Sequence, residues 1–368
     1  GLLIGKGKLA EVSVVPHSEG KTNLQVNVPE NGKCYLKLIY HLKKEMPLLE
    51  EDYILGFDEI EVSQKDAKCQ LAEKWVEKTV TDSELQVSED DTQIHIKGRE
   101  FAYTIDRRTA LFTEMKFAGR EYLNHPMELN IWRAPTDNDM YIKSEWKKAH
   151  YDKAYTRAYT TEVVQGKHGV KIISHASVVA ETVQKILDVT ITWKIEAAGK
   201  IDADIAVTKD DEFPDLPRFG VRMFLDKKLS AARYFGMGPQ ESYCDKHQAA
   251  SHGLYQANVD DLHEDYIRPQ ENGSHYDCEY VELNNSRYGI VVSAENAFSF
   301  NASYYTQEEL EEKTHNYELT ESDSVVFCVD YALNGIGSNS CGPVVLEQYR
   351  FDDVLFRFQF TLIPYIKG

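Results

Sequence analysis

Strict alternation of apolar and polar residues is the feature that most constrains this chain. Apolar side chains occupy every second position in two consecutive segments, 187–195 and 201–207, with the turn sequence Ala-Ala-Gly-Lys between them. Successive side chains of a β-strand point to opposite faces, so this pattern predicts a hairpin with one buried face. Helical periodicity is rare along the chain, which favours an all-β fold.

Further short alternating segments, separated by turn signals, predict a large antiparallel structure. They lie at 94–105, 170–180, 220–226, 278–284, 288–293, 325–332 and 354–362. Two short helices are predicted, one at 144–150 and one at 307–315 behind a capping box that begins at Thr306. Many even strands with few helices are typical of β-sandwich architecture.

The length of 368 residues predicts two or three domains. Polar and charged residues concentrate between 65 and 90, which indicates a domain boundary there. Four strand-like runs precede it, and about seven strands make a complete immunoglobulin-like sandwich. We therefore expect the latter part of a small sandwich over 1–68, a linker over 69–84 and one large double-layered β domain over 85–368. The runs before the boundary are 10–15, 23–28, 34–41 and 56–63.

Charge and cysteine usage exclude several classes of function. The formal net charge of −19 disfavours nucleic acid and anionic membranes as partners. Six scattered cysteines form no CxxC pair, so the spacing contains no zinc or redox motif and favours a reducing, cytoplasmic location. No signal peptide or apolar run near 18 residues is present. The chain begins at Gly1 without a Met, which suggests a fragment or a processed protein.

Four segments combine dense polar residues with Gly or Pro. Loops of this kind present carboxylates, amides and a guanidinium together, which is the set that recognises neutral sugars. The alternative is structural, with Arg133 paired to a buried carboxylate and the amides capping strand ends, and for a single loop this is the commoner case. The segments are 132–139 (WRAPTDND), 235–243 (FGMGPQESY), 266–273 (YIRPQENG) and 334–343 (NGIGSNSCGP).

Taken together, these segments resemble the C-terminal domain of β-galactosidases of glycoside hydrolase family 2, also called the β-galactosidase small chain. Residues 133–139 resemble its RAPxDND signature, 236–243 its GxGPQExY turn and 268–273 its PxENG segment. Two further matches follow in the same order. Residues 300–306, with Leu310 and His315, resemble its Ser/Tyr-rich strand and helix, and 335–343 resemble its last active-site loop.

The resemblance implies a galactose-mutarotase-like supersandwich over 85–368, preceded over 1–68 by the end of an immunoglobulin-like domain. In that family the two catalytic glutamates of the retaining reaction and the magnesium site belong to an upstream (β/α)₈ barrel. This sequence lacks the alternating strand–helix units of such a barrel. The resemblance therefore implies that this chain holds no catalytic residue, metal or cofactor and is inactive alone.

The resemblance also implies which residues meet substrate. The family's last loop carries a residue facing the aglycone sugar, often a Trp, and Cys341 stands in that place here. A thiol offers a small polarizable surface without ring stacking, and the alternative is a packed loop cysteine. Tyr141 follows Met140 where relatives begin a mobile loop with Gly, so the same hinge is not expected. The candidate substrate-binding residues are Asn339, Ser340, Cys341, Arg133, Asp137, Asn138 and Asp139.

The implied partners are an upstream barrel domain or large subunit, a galactoside and further copies in a homo-oligomer. Two other classes of function stay open. An aldose-epimerase-like enzyme would need a His acid and a Glu base over the sugar ring, with His315 and either Glu241 or Glu271 as candidates. A stand-alone carbohydrate-binding or assembly domain would need no such pair, and fold likeness alone cannot choose between them.

Overall fold

The computed structural model describes residues 3–10, 12–30, 32–63, 85–167 and 169–367. The chain divides into two compact units, Gly1–Gln70 and Leu71–Gly368. The predicted linker 69–84 lies outside the described residues, and the immunoglobulin-like nature of the first unit stays a prediction. Among the helices in these ranges, none combines the length and the apolar character needed to cross a membrane.

The described part of the first unit holds one antiparallel hairpin, made of β1 (Tyr35–His41) and β2 (Ile54–Glu61). The predicted strands at 10–15 and 23–28 are wrong, since the described residues of both runs are irregular. Val12, Val14 and Val15 are all more than 40% exposed. Alternation forms a strand only where a neighbouring strand pairs with it and covers its apolar face.

The second unit begins with a five-stranded antiparallel meander. The single strand predicted at 94–105 is instead two strands, because the polar residues from Lys97 to Glu100 form a tight turn in which the Gly98 N–H donates to the Phe101 carbonyl at 3.0 Å. The strands are β3 (Gln86–Glu89), β4 (Gln93–Lys97), β5 (Phe101–Asp106), β6 (Leu111–Phe117) and β7 (Arg120–Glu121).

A twelve-stranded antiparallel sheet makes up the rest of this unit. Its main path runs β15-β14-β16-β17-β19-β12-β11-β10-β9. The strands are β8 (Leu123–Asn130), β9 (Tyr155–Gln165), β10 (Gly169–Val179), β11 (Leu187–Glu196), β12 (Ile201–Lys209), β13 (Arg218–Asp226), β14 (Ala231–Gly238), β15 (Ser251–Asn258), β16 (Ser274–Asn284), β17 (Tyr288–Ser303), β18 (Ser324–Leu333) and β19 (Leu355–Ile366).

The sheet branches at β17, its longest strand. The first part of β17, Tyr288–Ser293, pairs with β19, and its last part, Ser299–Ser303, pairs with β18. Strand β18 then pairs with β13, and β13 with β8. This branch brings the ends of β8, β14 and β18 into one region, where the motif loops lie.

The five-stranded sheet packs on the large sheet through a buried aromatic cluster. The ring of Phe112 lies 4.9 Å from that of Trp193, centre to centre, and both are fully buried. The Trp193 indole donates to the Ala110 carbonyl at 2.8 Å, and the Tyr103 hydroxyl donates to the Gly199 carbonyl at 2.7 Å. This packing confirms the predicted all-β, sandwich-type architecture.

Both predicted helices form, and each is shorter or shifted relative to its prediction. Helix α1 spans Ile142–Lys148 and buries Trp146, whose indole donates to the Asp215 carbonyl at 2.9 Å. Helix α2 spans Gln307–Glu312, and the Thr306 hydroxyl accepts the Glu309 N–H at 3.1 Å. The backbone turns extended at Lys313, which ends α2 before the predicted boundary.

Replacing Phe112 with Ala removes the ring that joins the two sheets. We expect the free energy of unfolding to fall by about 3–5 kcal/mol, because the transfer and cavity costs add. Leu355→Ala is the control, since Leu355 is 74% exposed and its loss should change stability by less than about 0.5 kcal/mol. Urea unfolding measures both, and equal losses for the two variants would contradict this packing.

Candidate functional site

Four loops at strand ends carry the motifs. The first loop, 131–139, follows β8, and the second loop, 239–250, follows β14. The third loop, 263–273, leads into β16, and the fourth loop, 334–350, follows β18. Since β8, β13, β18, β17, β16 and β14 pair in that sequence, the branch of the sheet places these loops beside one another.

Arg133 joins the first loop to the fourth. Its side chain is fully buried, and its guanidinium donates to the Asp139 carboxylate at 2.7 and 3.2 Å. The same guanidinium donates to the carbonyls of Asn334 and Gly335, at 2.5 and 3.2 Å. Asp139 also accepts the Thr136 N–H at 2.9 Å. Arg133 and Asp139 therefore bind each other and the backbone, as in the structural alternative.

Two side chains next to this pair extend the contacts. The Asn138 amide donates to the Gly337 carbonyl at 2.6 Å, and its oxygen accepts the Ser340 N–H at 3.4 Å. The Gln270 side-chain oxygen accepts the Asp137 N–H at 3.0 Å, which ties the first loop to the third.

The second loop closes the ring. The Asp245 carboxylate accepts the N–H groups of Ile336 and Gly337, at 3.0 and 2.7 Å, and so holds the fourth loop. Glu241 accepts the Gly273 N–H at 2.9 Å and so holds the third. We call the four mutually bonded loops the loop ring.

Glu241 is an anionic anchor of this ring. Burial raises the pKa of its carboxyl, but hydrogen bonds from Lys246, Tyr266 and the Gly273 N–H outweigh that effect and lower the pKa overall. The Tyr243 hydroxyl is a fourth donor, at 3.3 Å, so this carboxylate is a saturated structural group rather than a free base.

A second buried ion group lies in the strands that carry the ring. Arg218 donates to Asp330 at 2.5 and 3.1 Å and to Glu271 at 2.9 Å, and both Arg218 and Asp330 are fully buried. Burial raises the pKa of the two carboxyls, and Arg218 opposes that rise. Glu271 belongs to the third loop, and its N–H donates to the Ala134 carbonyl at 3.0 Å. This group therefore ties the ring to β13 and β18.

The predicted site residues differ in exposure and fall into three groups. Arg133 and Asp139 are buried inside the ring, whereas Asp137, Ser340 and Cys341 are exposed. The other two, Asn138 and Asn339, are half-buried in between. The surface that a ligand can reach is therefore the 338–343 turn of the fourth loop with Asp137 beside it.

Sequence reasoning missed Asp245 and Gln270 as members of the ring. Gln270 lies inside a recognised motif, but its contact with Asp137 spans more than a hundred residues. Asp245 lies just beyond the second motif, and no local pattern marks it. Both were discoverable only once the loops had been placed beside one another.

The pairing expected for an aldose-epimerase-like site is not present in the described residues. The His315 ring contacts the Thr314 hydroxyl at 3.0 Å and stacks on Tyr317 at 5.1 Å. Glu241 and Glu271 are each occupied by the partners given above. No group of three or more His, Cys, Asp or Glu side chains in these ranges could hold a metal ion.

With the fold and the ring described, the family comparison identifies the class of this domain. A family model described as "Beta galactosidase small chain" matches residues 97–362, a range that includes all the motif loops. The chain belongs to the β-galactosidase small chain family.

Two relatives match almost the whole chain. A β-galactosidase of Actinobacillus pleuropneumoniae is 42% identical over 365 residues, which cover 99% of this chain and 35% of that protein. A β-galactosidase of Staphylococcus xylosus is 31% identical over 351 residues, covering 95% of this chain and 34% of that protein. The chain thus spans about a third of the length of these curated relatives.

Among solved structures, a galactose 1-epimerase from Lactobacillus acidophilus is similar in fold. The match covers 78% of this chain and 100% of the epimerase chain. The two are 8% identical and superpose with a TM-score of 0.41. That likeness is too weak to bear on function.

Arg133→Gln tests whether the ring depends on its buried ion pair. We expect a loss of about 3–5 kcal/mol in the free energy of unfolding, because Asp139 stays buried without its cation. Adding Asp139→Asn should recover part of this loss, since no unpaired charge then remains. Arg157→Gln on exposed β9 is the control. A loss below about 1 kcal/mol for Arg133→Gln, measured by urea unfolding, would contradict the assignment.

The imidazole of His275, next to the ring, is buried, and we therefore expect the protein to lose stability in acid. Burial lowers the pKa of its imidazole to about 4, and its Nδ1 lies 3.3 Å from the Met237 carbonyl. Because the unfolded chain takes up the proton near pH 6.5, this group's contribution is complete above that pH and is lost as pH falls towards 4.

Between about pH 7 and pH 5, the expected loss from His275 is about 2 kcal/mol. His275→Phe keeps the stacking on Phe300, which is 5.1 Å away, and removes the titration. Urea unfolding of both proteins at the two pH values isolates the His275 share. An identical pH dependence in the variant would show that the imidazole is not buried uncharged.

Proposed function

We propose that this chain is the C-terminal part of a family 2 β-galactosidase and forms the aglycone side of its active-site cleft. One observation carries the proposal: the chain aligns over 95–99% of its length with about a third of two β-galactosidases. A retaining glycosidase needs two carboxylates about 5 Å apart. The proposal assigns both to the remaining two thirds of the longer protein.

The loop ring is the surface that this role needs. Its turn 338–343 and Asp137 expose amide, hydroxyl, carboxylate and thiol groups. Hydrogen bonds from the other loops hold Ile336 and Gly337 at the start of the turn, the Ser340 N–H within it and the Asp137 N–H. A wall that is already ordered loses little entropy when a sugar binds. We assign Ser340 and Cys341 to sugar contact at the aglycone position, with Asn339 beside them.

The same proposal covers cofactor, partners and location. The magnesium ion belongs with the catalytic glutamates, outside this chain. The partners are a catalytic barrel on the same polypeptide or a separate large subunit, a galactoside, and further copies in an oligomer. The acidic net charge of −19 disfavours nucleic acid, and the unpaired spacing of the cysteines favours the cytoplasm.

No contact among the described residues favours the other two classes. An epimerase would require an acid and a base facing one open site, but Glu241 and Glu271 are both held in hydrogen-bonded ion pairs. A self-sufficient sugar-binding domain would bind galactose without the upstream part. Titration calorimetry of the isolated chain with galactose and lactose separates it from the proposed role.

The isolated chain should not hydrolyse o-nitrophenyl β-galactoside, whereas the chain joined to its upstream segment should. The physical reason is that removing the catalytic carboxylates removes both the nucleophile and the acid. Replacing each upstream barrel glutamate with Gln in the joined protein is the matched control. Turnover by the isolated chain would show that its own residues are catalytic and would end the proposal.

A further inference from the structure

The 338–343 turn, which presents Ser340 and Cys341, lies at the end of a segment with little regular structure. Residues 334–337 are not part of a strand, yet nearly all their backbone polar groups are bonded. The Asn334 and Gly335 N–H groups donate to the carbonyls of Pro217 and Tyr349, at 3.0 and 2.7 Å. Side chains of other loops bind most of the remaining groups.

The cationic side chain among them binds carbonyl groups, and the anionic one binds N–H groups. Arg133 binds the carbonyls of Asn334 and Gly335, and Asp245 binds the N–H groups of Ile336 and Gly337. The contacts of Arg133 and Asp245 reach no further along the chain than Gly337, just before the turn. Gly337 has a positive φ of 61°, so the chain reverses there in a conformation that L side chains rarely adopt.

The Asn138 side chain forms hydrogen bonds on both sides of this reversal. Its amide donates to the Gly337 carbonyl before the turn, and its oxygen accepts the Ser340 N–H within the turn. A carboxamide can do this because it carries a donor and an acceptor on one planar group. The turn's own bonds run from the Gly342 N–H to the Ser338 carbonyl at 2.9 Å and from the Ser338 hydroxyl to the Pro343 carbonyl at 3.3 Å. They close the turn but do not fix its direction.

We infer that Asn138 is a positioning residue, which sets the direction of the 338–343 turn and thereby the placement of Ser340 and Cys341. Asp245 holds the base of the turn, and Asn138 holds its near side. That this placement serves sugar binding rests on the proposed function, whereas the positioning itself does not.

The first test uses the whole chain and no activity. Asn138→Ala removes both contacts, and Asn138→Asp keeps the acceptor for Ser340 while losing the donor to Gly337. Losing a hydrogen bond worth about 1 kcal/mol speeds local opening by about fivefold. We expect hydrogen exchange of the Ser340 and Gly342 amides, which are the bonded amides of the turn, to quicken by about five- to tenfold in Asn138→Ala, and Asn138→Asp to affect the Ser340 amide less.

Asn285→Ala is the matched control, because Asn285 makes the same kind of bridge in a hairpin at the far end of β17. It accepts the Arg287 and Tyr288 N–H groups at 2.8 and 3.0 Å and donates to the Lys228 carbonyl at 3.2 Å. This variant should leave 338–343 unchanged. If folded Asn138→Ala and Asn138→Asp both exchange as the parent does, the inference is wrong.

The second test uses the chain joined to its upstream segment. Asn138→Ala should raise KM for lactose by about fivefold and leave kcat for o-nitrophenyl galactoside within about twofold, since binding of the aglycone sugar is lost without harm to the chemistry. Faster exchange with an unchanged KM would uphold the positioning role and count against the proposed place of the turn in the cleft. Unchanged exchange overturns the inference whatever the KM.

Discussion

Charge that is buried away from water must be neutralised where it lies, and two arginines impose that condition on the loop ring. Arg133 has no exposed surface, so Asp139 and two carbonyls of the fourth loop must lie beside it. Arg218 is buried in the same way, and Asp330 and Glu271 neutralise its charge. Because an unpaired buried charge is strongly destabilising, this pairing favours one mutual arrangement of loops that are far apart in sequence. The rest of the candidate site follows from that arrangement.

The ring therefore holds its exposed turn through side-chain contacts from the other loops. Asn138 donates to the Gly337 carbonyl and accepts the Ser340 N–H, and Asp245 accepts the N–H groups of Ile336 and Gly337. In the proposed role, a wall ordered by such side-chain contacts would bind a sugar at low entropic cost. Glu241 and Glu271 are both committed to structural contacts, which supports the proposal that the chemistry belongs to another part of the protein.

Much of the fold could be predicted because strand pattern is a local property. The segments at 187–195 and 201–207 became β11 and β12, within two residues at each end. Strand β9 was missed since its outer residues are polar and exposed, and the runs at 10–15 and 23–28 were overpredicted because alternation does not reveal whether a neighbour exists. Both errors depend on whether a neighbouring strand pairs with the segment, and a local sequence pattern carries no information about that.

The sequence alone determined the all-β class, the two short helices and the small-chain family, because periodicity, capping and ordered motifs are all written in consecutive residues. It placed Arg133, Asp139 and Cys341 in one group of candidates. Only the tertiary structure decided that Arg133 and Asp139 are buried anchors while Cys341 faces outwards, and that Asp245 belongs with them. Burial and pairing depend on how the branch at β17 brings distant loops together, and that is a property of the folded chain.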